Sequence, residues 1–233
     1  MLSIVLGVLG LAACAAQPTT RPGTGVRQPA GFGVGARPRP AIGPDGKVRA
    51  ALLLPLSGPH AAVGEAMPSF LLPDVDGHLT TLDEVLADGP AVISFNRGHW
   101  CSFCRIELTT LAAAQPRIAE LGSRIVSIMP DREAFIRRLP ARILERVRIL
   151  LDMDNSYAMS LGLAIWVGEA LTALMRERRL CLDEFQGNAT WMLPLPATFV
   201  VARDGIVHAR FVDPDFRSRM EIDDIVAALR RIA

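Results

Sequence analysis

The sequence predicts an α/β domain, a central mixed sheet flanked by helices, with a flexible extension ahead of it. Three observations carry that prediction. Ala91-Val92-Ile93-Ser94-Phe95 is a short apolar run of the kind buried on both faces, and it leads into a stretch with helical spacing of apolar residues at 102–121. Strand-like and helix-like stretches then alternate through residue 151. Two further strand-like runs, 197–202 and 206–212, flank the turn pair Asp204-Gly205, and a helical pattern follows at 221–231.

Each element has a local cause. The stretch 68–82 reads as a small hairpin turned at Asp76-Gly77, and Thr81 or Asp83 can cap a short helix ending at Leu86. Within 102–121, Cys104, Leu108, Leu111, Ala112 and Ile118 fall near one face. The alternation continues as a strand at 124–129, a helix at 132–146 and a strand at 148–151. After Asn155 a short helix reaches Leu161, and 167–182 reads as an amphipathic helical insertion. Pro116 and Pro140 should kink or shorten their helices, because proline lacks the N–H and crowds the preceding turn. A βαβ core followed by a hairpin and a terminal helix is the thioredoxin-like arrangement.

That order places Trp100-Cys101-Ser102-Phe103-Cys104 where a buried strand runs into a helix. A helix N-terminus offers unpaired N–H groups and partial positive charge, and both stabilise a thiolate. Cys104 follows Cys101 by three residues, one helical turn, and can attack whatever forms on it. The pair therefore reads as a redox-active dithiol. Half of a zinc site would need a second Cys or His pair at ligand spacing, whereas Cys14, Cys181 and the four histidines (His60, His78, His99, His208) are scattered. A static disulfide is the other alternative, but it has no need of a thiolate-stabilising helix start. No motif calls for a cofactor or a metal.

Composition excludes some partners. Half of the 233 residues are hydrophobic and the formal net charge is +1, so nothing marks a nucleic-acid binder. Basic pairs at Arg137-Arg138 and Arg230-Arg231 sit among acids and read as solvated helix faces.

The first 67 residues have a different character. Residues 2–13 form an apolar run of 12, too short to span a bilayer and suited to the core of a signal peptide, although no Lys or Arg precedes it. The run ends in Leu11-Ala12-Ala13-Cys14, which resembles a bacterial lipobox and would make Cys14 the lipidated residue and a point of membrane attachment. Residues 17–46 hold 6 Pro and 7 Gly among 30 and read as a flexible tether. Residues 47–60 include Ala50-Ala51-Leu52-Leu53-Leu54-Pro55-Leu56-Ser57-Gly58-Pro59. With the leader they resemble the start of the lipoprotein activators of penicillin-binding proteins, which implies a fusion and, as an alternative function, a lipid-anchored cell-wall adaptor. The expected organisation is a signal and lipobox segment at 1–16, a linker at 17–46, an orphan strand-like segment at 47–66 and a thioredoxin-like domain at 67–233. The expected location is periplasmic, with a cytoplasmic location as the alternative.

Several blocks over residues 68–232 carry a second resemblance. They are Ser94-Phe95-Asn96-Arg97-Gly98-His99-Trp100-Cys101-Ser102-Phe103-Cys104, Asp154-Asn155, Ser160-Leu161-Gly162-Leu163, Gln186-Gly187-Asn188, Leu195-Pro196-Ala197-Thr198-Phe199-Val200 and Phe211-Val212-Asp213-Pro214-Asp215. In this order they resemble the peroxiredoxin-like branch of the alkyl hydroperoxide reductase/thiol-specific antioxidant family. The resemblance implies a thiol antioxidant enzyme with a thioredoxin fold, in which Cys101 attacks and Cys104 resolves. Its substrate would be a peroxide or a disulfide, and an external thiol would reduce it. It also implies a cis-Pro196 facing Cys101, which would leave the Leu195 backbone open to an extended substrate, with Trp100 and Thr198 on the substrate side. Three positions depart from the family pattern. Gly98 stands where peroxiredoxins carry Thr or Ser and Ser94 where they carry Pro, and Pro196 stands where they commonly carry an Arg. Arg97 and His99 are the candidates to replace the missing groups. Trp166, Trp191 and Cys181 are expected to be structural.

Overall fold

The computed structural model describes residues 61–213 and 215–232. Cys14, the tether and the segment through residue 60 lie outside the described residues.

The first described residues belong to the domain. Residues 61–67 lie along the hairpin turn near residue 205: Gly64 donates to the Val207 carbonyl, Met67 to Gly205, and Val207 returns a bond to Glu65. Residues 61–66, assigned from sequence to the orphan segment, are thus stitched to the domain by backbone hydrogen bonds. Next comes the expected hairpin, β1 (Leu71–Pro73) against β2 (Leu79–Thr81). The Asp74 side chain holds its turn by accepting from the N–H groups of Asp76 and His78. Thr81 caps α1 (Leu82–Leu86) in a reciprocal box with Glu84.

The central sheet has five strands in the order β5-β4-β3-β8-β9. β3 (Ala91–Phe95), β4 (Arg124–Met129) and β5 (Arg148–Leu151) run parallel; β8 (Ala197–Val201) and β9 (Val207–Val212) join antiparallel on the other side of β3. Every residue of β3 is buried, and its side chains alternate between the two faces. Ala91, Ile93 and Phe95 join one core with Phe70, Leu82, Val85, Tyr157 and Phe199. Val92 joins the other, with Leu108, Leu111 and Ile118 of α2 (Ser102–Ala119) and Ile225 and Leu229 of α8 (Ile222–Arg230). This is the thioredoxin-like architecture, and it sets the mouth of α2 at the C-terminal end of β3.

The two prolines act differently. The predicted helix at 132–146 is two short helices, α3 (Glu133–Ile136) and α4 (Ala141–Leu144), with Pro140 as the N-cap of the second. Pro116 instead lies inside α2, three residues before its end. Its missing N–H leaves the Ala112 carbonyl without its helical donor, and the Arg146 guanidinium fills that place at 3.2 Å. Arg146→Ala is expected to cost about 1 kcal/mol, read as a lower urea midpoint at unchanged m-value. An unchanged midpoint would remove Arg146 from this role.

Two strands are absent from the sequence reading. After α5 (Ser156–Ser160), β6 (Ala164–Trp166) pairs with β7 (Met192–Pro194), and the hairpin encloses α6 (Glu169–Glu177) and α7 (Leu182–Gln186). Asn155 and Gln186, both in family blocks, donate to the same Met192 carbonyl and tie this insertion to the domain.

Candidate active site

Cys101 is the N-cap of α2, in extended conformation, and no side chain caps this helix in its place. Of the first-turn N–H groups, that of Cys104 acts on its sulfur. Cys104 is one turn on, and both cysteines are reduced thiols, 4% and 0% exposed. Cys101 is held as the better acid, its pKa lowered to about 6. The largest cause is the hydrogen bond that Cys104 gives it, with the positive charges of Arg97 and Arg219 adding to it against the cost of burial. Cys104 moves the opposite way, raised by burial and by the neighbouring Cys101 sulfur. One thiol is set to be the nucleophile and its neighbour to hold the proton.

The two arginines arrive from different directions. The Arg97 N–H reaches the Cys104 sulfur at 3.4 Å, and its guanidinium lies over the rings of Trp100 (5.3 Å) and Phe216 (4.4 Å). Arg219 comes from the segment between β9 and α8. It closes its own loop by donating to the carbonyls of Phe216 and Ser218, places Nη2 at 3.5 Å from the Cys104 sulfur, and pairs through Nε with Glu107. Glu107 is on the buried face of α2, and burial lifts its carboxyl to about 7 despite the Arg219 charge. The Thr198 hydroxyl donates to its other oxygen at 3.4 Å. Arg219 and Glu107 are absent from the sequence-derived set. Arg219 follows Cys104 by 115 residues and lies beyond the last quoted block, so only the fold joins them.

The remaining expected residues divide. Trp100 packs partly buried against Val167, Trp191 and Leu193 of the insertion, so it anchors that hairpin as well as flanking the cysteines. Trp191 is core, whereas Trp166 is 44% exposed on β6. His99 braces the loop: its N–H and Nδ1 approach the Asp131 carboxylate at 2.6 and 2.7 Å, and its ring stacks on Phe135. Cys181 is buried at the start of α7. Thr198 serves Glu107. The cis-proline expectation is not met, since every peptide bond among the described residues is trans. Leu195 is buried and its N–H already donates to the Leu163 carbonyl at 2.7 Å, so the β6–β7 hairpin occupies the edge reserved for an extended substrate.

Gly98 has a stereochemical reason to be there. Its φ is +142°, and a Cβ would lie 2.5 Å from Trp100 Nε1 and 2.9 Å from both Asp131 carboxylate oxygens. The position where the family pattern has a hydroxyl side chain is closed by Trp100 and Asp131.

Among the described residues no cluster of His, Cys, Asp and Glu has the geometry to hold a metal ion, and no helix is long and apolar enough to cross a membrane. A cleft of about 380 Å³ along β5, lined by Arg124, Arg146 and Arg148 among others, contains none of the residues named above for the site.

Comparison with known proteins gives a consistent picture. The pattern of the AhpC/TSA family matches residues 63–210. It begins too late to lend support to the likeness of the leader to cell-wall lipoproteins. Among solved structures, the chain is similar to peroxidoxin BcpB from Mycobacterium tuberculosis, with 22% identity and a TM-score of 0.55, covering 75% of this chain and 99% of that one. It is also similar to a peroxiredoxin-like protein from Aquifex aeolicus, at 16% identity and a TM-score of 0.58, covering 76% and 90%. Peroxiredoxin Q from Xanthomonas campestris gives 16% and 0.53 over 70% and 90%. At these identities the likeness concerns the fold. No curated protein matched.

Proposed function

Since the chain belongs to the AhpC/TSA family and is a thiol-dependent oxidoreductase of the peroxiredoxin kind, we propose that Cys101 is its attacking thiolate and Cys104 its resolving thiol. The observation that carries this assignment is placement: Cys101 stands at the head of α2, while Cys104, one turn on, is fully buried under the Arg97 N–H and the Arg219 guanidinium. At neutral pH Cys101 is mostly thiolate. It attacks the terminal oxygen of a hydroperoxide, the O–O bond breaks, and the alkoxide leaves and takes a proton, giving an alcohol and a Cys101 sulfenic acid. The Cys104 sulfur then displaces that oxygen as water and closes the Cys101–Cys104 bond, which an external thiol reopens. Arg219 and Arg97 supply fixed positive charge in a buried site, where it acts strongly.

A second reading rests on Gly98. Without the family's hydroxyl to orient a peroxide, the same dithiol can exchange with disulfides. Stopped-flow mixing of the reduced protein with hydrogen peroxide and with a disulfide separates the two. Oxidation far faster than that of free cysteine supports the peroxidase. A rate like free cysteine beside rapid disulfide exchange replaces it with thioredoxin-type chemistry. In either case Cys101→Ser should abolish activity and Cys104→Ser should accumulate a sulfenic acid or mixed disulfide. The peroxide rate should rise with pH through about 6 and then level off, following the Cys101 thiolate.

The spelling Leu11-Ala12-Ala13-Cys14 supports export with lipidation at Cys14, on the periplasmic side of a bacterial membrane. Labelled fatty acid incorporated by the parent chain and lost in Cys14→Ser is the expected result; equal labelling would dismiss it.

A further inference from the structure

Glu107 is a buried carboxyl that the scheme above leaves unused. It sits six residues after Cys101 on α2, with Arg219 Nε on one oxygen and the Thr198 hydroxyl on the other. The Arg219 guanidinium that it holds turns its Nη2 to the Cys104 sulfur. One fixed cation is thus shared between a carboxyl and the dithiol. The titratable and charged groups that act on Glu107 here are Arg219, from the loop before α8, and Cys101, at the head of its own helix; Arg97 faces Cys101 from the loop after β3.

We propose that Glu107 is the proton store of the dithiol: it keeps its proton while Cys101 is a thiolate and releases it when oxidation removes that charge. This inference rests on the assignment of Cys101 as the thiolate. The reason is electrostatic. Burial sets most of the proton affinity of Glu107, and the charge on Cys101, repelling it beside the shared guanidinium, adds the increment that oxidation removes. When the sulfur becomes a sulfenic acid or a disulfide the repulsion is gone, while Arg219 and Thr198 remain to stabilise the carboxylate. The balance closes. Cys101 thiolate, hydroperoxide and the Glu107 carboxylic acid yield Cys101 sulfenic acid, alcohol and the Glu107 carboxylate. The sulfur loses two electrons, the peroxide gains them, and the leaving alkoxide receives the proton that Glu107 gives up. Condensation with Cys104 then forms the disulfide and water with no further proton change. One negative charge moves from sulfur to carboxylate, and Arg219 is never left without a counter-charge. Glu107 acts here as a positioning and proton-holding residue that needs no contact with the substrate.

The test is proton stoichiometry. The full-length reduced protein is oxidised in weakly buffered solution near pH 7 with an indicator dye, and protons are counted per Cys101–Cys104 disulfide. Hydrogen peroxide and oxidised glutathione serve as separate oxidants, since each consumes one proton when a thiolate is the starting species. Parent protein should take up markedly less than one proton from solution, because Glu107 supplies the rest, whereas Glu107→Gln should take up about one. Equal uptake by both proteins overturns the proposal. A difference seen only with oxidised glutathione, beside slow reaction with peroxide, upholds the proton store and overturns the peroxidase reading. A second measurement needs no stable variant. The infrared difference between reduced and oxidised parent protein should show a protonated carboxyl band lost and a carboxylate band gained, and no carboxyl change would again overturn it.

Discussion

Arg219→Met should destabilise the protein by about 1–3 kcal/mol near pH 8, because Glu107 loses its buried partner and the Phe216 and Ser218 carbonyls lose their donor. The loss should shrink in acid. A carboxyl whose folded-state pKa is raised adds stability below its unfolded value and loses that contribution as pH climbs through the folded value. In the parent protein that window runs from the ordinary 4.5 to about 7. Removing Arg219 takes away the charge that lowers Glu107, so the window extends further upward and stability falls across it. Urea unfolding at pH 5 and pH 8 measures both effects, and equal stability of variant and parent at pH 8 would contradict the pairing. The same substitution should raise the Cys101 pKa, visible as a later rise in thiolate absorbance, since Arg219 is one of two cations that lower it.

Gly98→Thr, which puts back the residue of the family pattern, should remove activity instead of improving it. The new Cβ meets Trp100 Nε1 and the Asp131 carboxylate, and the backbone at φ +142° disfavours any side chain. Overpacking and backbone strain together should cost about 2–6 kcal/mol. The loop can escape only by moving Trp100 or Asp131, and with Asp131 goes the brace on His99. A lowered melting temperature together with a slower peroxide reaction is expected. A faster reaction at unchanged stability would mean that the loop accommodates a hydroxyl after all.

These two positions mark how far the sequence could be read. The sheet was legible because β3, β4 and β8 are mostly apolar runs, each broken by a single buried Ser or Thr, bounded by turn residues. The dithiol was legible because its parts are neighbours at helical spacing. Arg219 was not, since nothing in its local sequence distinguishes it from nearby Arg217, which pairs with Asp215 in solvent. Glu107 was hidden as well: a carboxylate on the buried face of an amphipathic helix breaks the pattern by a single residue. The hairpin of β6 and β7 escaped because its two strands are three residues long and stand 25 residues apart in sequence, too short for alternation to register. Without that hairpin the Leu195 edge reads as open to an extended substrate, whereas its N–H is already taken by the Leu163 carbonyl.

The absence of a side-chain cap on α2 has a consequence for the direction in which electrons flow. The Cys101 pKa is lowered at the start of that helix by the Cys104 hydrogen bond and by the Arg97 and Arg219 charges, so a thiolate there and the fold would stabilise each other. Whatever favours the reduced form makes the oxidised form the stronger acceptor, and the potential of the couple shifts toward the oxidising side. Closing the disulfide surrenders this support at the first turn of α2. The oxidised protein is therefore the less stable partner of the pair, predisposed to accept electrons from the next thiol it meets.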